Sequence, residues 1–153
     1  LGWITAPKPC ISRFVMAKQG ADLHTGTFVQ MIANEICQRG ILKQHVRRIR
    51  QVYGERRSAM IAALERSWPQ GCSWTRPQGG LFLWARVPEP IDTAAMLPRA
   101  VERGVAYVPG QAFYPDEEGG ANAMRLNFSN ATIEQIEDGI ARLGTAIREE
   151  LAR

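Results

Sequence analysis

The feature that most constrains this chain is a stripe. Leu42, Val46, Ile49, Tyr53, Met60, Leu64 and Trp68 recur at intervals of three, four or seven, which places them along one side of a single long helix. Pro69 and Gly71 end it. Directly afterwards the apolar period falls from that of a helix to that of a strand. A helix apolar along one side must bury that side, and the strands that follow are its natural partner. The result is a layered α/β unit rather than a helical bundle or an all-β sandwich.

The segments after the stripe read in order. Residues 73–76 form a short strand, Pro77-Gln78-Gly79-Gly80 a turn, and residues 81–87 a strand apolar on both faces, hence central in its sheet. Asp92 caps a helix reaching Arg103, where Pro98 should cause a kink or a restart. Residues 105–108 form a strand ended by Pro109-Gly110; residues 115–120 form an acidic loop; residues 124–128 form another strand. Thr132 and Gln135 make a capping box for a last helix with Ile133, Ile136, Ile140, Leu143, Ile147 and Leu151 on its apolar side. Upstream, residues 1–6 are strand-like up to Pro7 and Pro9, and Ser12 caps a helix through Gln19. A polar loop, Asp22 to Thr27, leads into a helix over residues 27–39. Residues 42–153 thus make a compact small domain, whereas residues 1–41 have less obvious partners and open as the interior of a longer protein would.

Composition excludes several classes. Of 153 residues, 45% are hydrophobic and 22% charged, too apolar for disorder, yet no apolar run approaches a membrane span. The net charge of +4 permits nucleic-acid contact but does not argue for it. The basic stretch over residues 45–57 lies opposite a core stripe with few aromatics interleaved, so it reads as a solvated helix face. Cys10, Cys37 and Cys72 have neither metal-ligand nor disulfide-framework spacing, which points to small apolar fillers in a reducing, cytoplasmic compartment. His24 and His45 accompany no nucleophile, and Gly79-Gly80 lacks the spacing of a nucleotide loop. No catalytic residue and no metal ligand emerges.

Arg125 is the one residue that stands out. In Met124-Arg125-Leu126-Asn127-Phe128 the side chains alternate, so Met124, Leu126 and Phe128 face the core while Arg125 and Asn127 share the other face. A mid-strand guanidinium offers a planar fork suited to a carboxylate or phosphate; it also serves as a surface charge or a structural ion pair.

A set of segments in fixed order resembles the C-terminal part of the fold-type I, pyridoxal-phosphate-dependent aminotransferases of class I/II, in the branch holding 2-aminoadipate and multi-substrate aminotransferases. The set begins with Leu1-Gly2-Trp3-Ile4 and Ala6-Pro7, Asp22-Leu23-His24-Thr25, and His45-Val46-Arg47-Arg48 with Tyr53 and Arg56-Arg57. It continues with Pro77-Gln78-Gly79-Gly80-Leu81-Phe82-Leu83-Trp84, Gly104-Val105-Ala106-Tyr107-Val108-Pro109-Gly110 with Phe113, and Met124-Arg125-Leu126-Asn127-Phe128-Ser129. The resemblance implies a small, mainly antiparallel sheet covered by helices. Residues 1–41 would then be a remnant of the large cofactor domain. It implies that Arg125 binds the α-carboxylate of an amino acid or 2-oxo acid in a homodimeric enzyme using pyridoxal 5'-phosphate. The family's Schiff-base lysine precedes the segment matched by Leu1, and Lys8, Lys18 and Lys43 match no such motif, so this chain alone is expected to be inactive. MocR-type transcription regulators, and lyases or synthases, share the fold and are the alternatives.

Overall fold

The computed structural model describes residues 1–115 and 119–153; residues 116–118 of the expected acidic loop lie outside the described residues. Two compact units are present, Leu1–Ile49 and Arg50–Arg153. The first holds helices α1 (Lys8–Ala21) and α2 (Thr27–Gln38) and the start of α3 (Ile41–Ser67). The second holds the rest of α3, strands β1 (Ser73–Trp74) and β2 (Phe82–Arg86), helix α4 (Thr93–Glu102), strands β3 (Val108–Pro109) and β4 (Ala123–Asn127), and helix α5 (Ile133–Leu151).

In the first unit, residues 1–6 are not a strand. A strand exists only as part of a ladder, and the described sheet is drawn entirely from residues between 73 and 127. α1 begins at Lys8 rather than after Ser12, because Pro9 fits a first turn whose N–H groups lack intrahelical partners anyway. Ser12 does not cap; its hydroxyl donates back to the Lys8 carbonyl at 3.0 Å. No residue of this unit is buried, and Trp3 is 87% and Phe28 74% exposed.

The second unit is a four-stranded antiparallel sheet in the order β1-β2-β4-β3, so β2 is central, as its two apolar faces require. The edge strands are shorter than the sequence suggests, for identifiable reasons. Past Trp74 the Thr75 hydroxyl, not a carbonyl, accepts from the Trp84 N–H at 3.0 Å, which ends the regular ladder of β1. Before β3, Val105 donates to the Ala100 carbonyl and Gly104, at φ +75°, to Val101, closing the end of α4 instead of pairing with β4. α4 is capped by the Asp92 carboxylate, which accepts from the Ala94 and Ala95 N–H groups. It runs through Pro98 as one helix, without the expected restart, with Met96 and Ala100 buried on its inner side.

The core lies on one face of the sheet. Leu83 and Ala85 of β2 and Met124 and Leu126 of β4 pack with Met60, Leu64 and Trp68 from the stripe and with Ile136, Ile140, Leu143 and Ile147 from α5. The capping box is formed: the Thr132 hydroxyl accepts from the Gln135 N–H at 3.3 Å and the Gln135 side chain from the Thr132 N–H at 2.9 Å. α5 presses on the end of α3 at Gly144, where a Cβ would collide with the Ser67 carbonyl and lie 3.2 Å from Trp68. At Gly139 the nearest atom to such a Cβ is a Val105 methyl at 3.9 Å.

These two glycines of one helix should respond oppositely to alanine. Gly139→Ala gains helix propensity without a clash and is expected to stabilise by up to about 1 kcal/mol. Gly144→Ala gains the same propensity but forces α3 and α5 apart, for a net loss of about 1–3 kcal/mol. Urea unfolding of both variants measures the two signs.

Candidate functional site

The face of the sheet opposite the core carries the site. Alternation along β4 holds as expected: Met124, Leu126 and Phe128 are buried, and Arg125 lies half-buried on the other side. Register places Trp84 of β2 directly across from Arg125, and Phe82 across from Asn127. On the other flank Val108 of β3 pairs with Arg125.

Two aromatic rings, one of them backed by a third, lie against the Arg125 guanidinium. Its central carbon lies 4.0 Å from the Phe82 ring centroid and 4.8 Å from that of Phe113. Phe113 in turn meets Trp84 edge-to-face at 5.3 Å and 84°. Phe113 arrives on a 3₁₀ turn, Gly110–Phe113, that leaves β3 and folds down onto β4. The approach needs a glycine at its first position: a Cβ on Gly110 would lie 2.5 Å from the Gly120 carbonyl and 2.7 Å from Ala123.

Among the described residues no carboxylate pairs with Arg125. Its neighbours are π faces, which attract a cation by about 0.5–2 kcal/mol but do not neutralise it. The rings lie against the guanidinium carbon, whereas its N–H donors point outward in the plane of the group. Such a group, partly dried and unpaired, is suited to a planar oxyanion that can accept two parallel N–H bonds.

The alternation of β4 identifies Arg125, but the rings were missed. Phe82 and Trp84 sit two apart in a strand read as apolar on both faces, and only the register with β4 turns one of those faces into the wall of a site. Nothing local marks Phe113. The basic helix face is also only partly solvated. Arg47, Arg48 and Arg50 are exposed, but Arg56 donates to the Ser129 carbonyl and Arg57 to the Pro77 carbonyl at 2.9 Å.

Other candidates bring no chemistry together. His24 and His45 are exposed, and the His24 ring meets only the Thr25 carbonyl, at 3.0 Å. Among the described residues no three His, Cys, Asp or Glu side chains converge, and no helix is long and apolar enough to cross a membrane. Cys10 and Cys37 are exposed rather than buried fillers, while burial pushes the Cys72 thiol up to about 11.

The family model of aminotransferase class I and II matches residues 1–143. An aromatic-amino-acid aminotransferase of Thermococcus litoralis is 46% identical over all of this chain and 36% of its own length. A 2-aminoadipate transaminase of Thermus thermophilus is 38% identical over 99% of this chain and 38% of its own length. An uncharacterized HTH-type transcriptional regulator of Bacillus subtilis is 31% identical over the whole chain and 31% of its own length. The crystal structure of Pyrococcus horikoshii kynurenine aminotransferase, in complex with PMP, superposes with a TM-score of 0.83 at 44% identity, covering 94% of this chain and 35% of that one. The chain therefore spans little more than a third of the relatives it matches.

The thiols supply a direct check of the burial pattern. At pH 8, Cys10 and Cys37 should react rapidly with a disulfide reagent, whereas Cys72, its pKa raised and its thiolate correspondingly scarce, should react only slowly. Raising the pH toward about 11 should speed Cys72 markedly. Mass-spectrometric mapping of the labelled cysteines reads the order.

Proposed function

The chain belongs to the class I and II aminotransferase family, and on that premise we propose that it is the carboxylate-binding part of an enzyme that moves an amino group between an amino acid and a 2-oxo acid. The observation that carries this reading is Arg125, mid-strand, held between Phe82 and Phe113 and facing no carboxylate among the described residues. Arg125 receives the substrate α-carboxylate through two parallel hydrogen bonds. It thereby fixes the rotation of the substrate about its α-carbon, a positioning role. Phe82 and Phe113, lying against the guanidinium, limit the access of water to that ion pair, which strengthens it.

The cofactor of such an enzyme is pyridoxal 5'-phosphate, which when bound supplies the electron sink for the substrate α-carbon. The kynurenine aminotransferase that this chain resembles was solved with the amine form, PMP. Residues of this chain do not fit covalent attachment of that group. A Schiff-base lysine must be kept neutral, by desolvation or by neighbouring cations. Lys8, Lys18 and Lys43 are all exposed in the first unit, and the Lys18 ammonium lies 2.8 Å from the Asp22 carboxylate. The part this chain plays is thus to bind and orient, and by itself it does not transaminate. A homodimeric enzyme in a reducing, cytoplasmic compartment is the setting, supported by the family resemblance and three free cysteines.

A second reading has an observation in its favour. The chain is 31% identical along its whole length to the Bacillus subtilis transcriptional regulator. There the same carboxylate site would sense an effector rather than turn it over. A winged helix encoded upstream of Leu1 would favour this reading.

Two outcomes test the enzyme reading. In the intact enzyme, Arg125→Gln should lower kcat/KM for its amino-acid substrate by roughly 100-fold or more, the cost of removing one partner from a desolvated ion pair. Its cofactor absorbance should be unchanged; an unaltered kcat/KM contradicts the role. In this chain alone, borohydride reduction after addition of pyridoxal phosphate should trap no stoichiometric adduct at any one lysine; a single fully labelled lysine contradicts the binding-only assignment.

A further inference from the structure

Two adjacent arginines of α3 have no part in the function proposed above. Arg56 and Arg57 are half-buried and, among the described residues, neither meets a carboxylate. Each spends its charge on a backbone carbonyl far away in sequence. Arg56 donates to Ser129, the second residue after β4, and Arg57 donates to Pro77, which opens the turn into β2, at 2.9 Å. Successive helical residues point roughly 100° apart, so one turn of a rigid helix reaches two separate loops.

Both loops lie at the same end of the β2–β4 ladder. Phe82 and Asn127 face each other there, and just beyond them the Phe128 N–H donates to the Leu81 carbonyl at 3.1 Å. Ser129 is tied back to that end, since its N–H and hydroxyl donate to the Asn127 side-chain carbonyl at 2.7 and 2.9 Å. The turn into β2 has little else to hold it. Residues 78–82 are exposed, Gly80 sits at φ +81°, and nothing lies within 4 Å of where a Cβ would stand on Gly79 or Gly80. Phe82, the first residue of β2, is therefore positioned from one side by a turn whose Gly79-Gly80 tip stands in open space. The hydrogen bond from Arg57 pins that turn.

From this arrangement we infer that Arg56 and Arg57 are positioning residues for Arg125: by clamping the turn into β2 and the turn out of β4, they hold the Phe82 ring over the guanidinium. The inference rests on Arg125 as the carboxylate site, but it makes a claim of its own about the free protein. A merely structural tie would lower stability and leave the geometry at Arg125 unchanged. A positioning tie alters that geometry even where the fold survives. Hydrogen bonds from a charged donor to a carbonyl are among the stronger ones. A lysine reaches the same carbonyl with a point charge and so serves as the conservative variant.

The test uses NMR of this chain with labelled arginine. Protons held over an aromatic face are shifted upfield, so the side-chain protons of Arg125 report the stack with no ligand present. Arg56→Ala and Arg57→Ala should each remove about half or more of that upfield shift, and Arg57→Lys should recover much of it. Titration with 3-phenylpropionate gives the second readout. Its affinity for Arg125 should fall about fivefold to tenfold in the alanine variants, on the scale of one ordinary hydrogen bond. Lowered Tm with an unchanged Arg125 shift in both alanine variants overturns the inference. Should one alanine variant fail to fold, the other and Arg57→Lys decide on the same signal. If 3-phenylpropionate moves no Arg125 signal in the unaltered chain, the carboxylate reading fails, while the ring shift still decides whether the two arginines position the side chain.

Discussion

The pairing of β2 with β4 is the interaction on which the site depends. Antiparallel rungs run from Phe82 opposite Asn127 to Arg86 opposite Ala123, and this register sets Trp84 across from Arg125. A slip of one residue would send Arg125 into the core and Met124 out of it, at the cost of a buried unpaired charge. The two faces therefore enforce one another. Met124, Leu126 and Phe128 are fully buried on one side, and that burial holds the guanidinium among aromatic rings on the other. The placing of Arg125 follows from the hydrophobic core.

What the sequence makes legible, and what it does not, divides along local and non-local lines. The capping box at Thr132, the Asp92 cap, the Met60-Leu64-Trp68 part of the α3 stripe and the middle of the apolar side of α5 are written in residues a few positions apart and are present. Leu42 and Val46 at the start of the α3 stripe, and Ile133 and Leu151 at the ends of α5, are instead exposed. The outward direction of Arg125 is equally local. Its surroundings are not. Phe82 comes from a strand some forty residues away, and Phe113 is delivered by a 3₁₀ turn whose close approach depends on Gly110. Strand propensity in residues 1–6 misleads for the same reason, since pairing needs a partner that no local pattern reports. Arg56 and Arg57 look like their solvated neighbours until the fold brings Ser129 and Pro77 within reach.

The electrostatics at Arg125 follow from what the rings can and cannot do. A π face attracts a cation without satisfying its N–H donors, so the stack orients the guanidinium and leaves its hydrogen-bonding edge available. A carboxylate from the same chain would orient it as well, but would have to be displaced before substrate could bind. Holding an arginine with aromatic rings leaves it open to an outside oxyanion. The orientation then relies on how accurately β2 and its turn present Phe82.

The most direct measurement is a crystal structure of the complete protein containing this chain, with an unreactive amino-acid substrate analogue bound. The account predicts the analogue's α-carboxylate in the plane of the Arg125 guanidinium, with two N–H···O contacts at about 2.7–2.9 Å and Phe82 and Phe113 still lying against the guanidinium. A carboxylate bound elsewhere, with Arg125 turned to solvent or paired to a protein side chain, would contradict it.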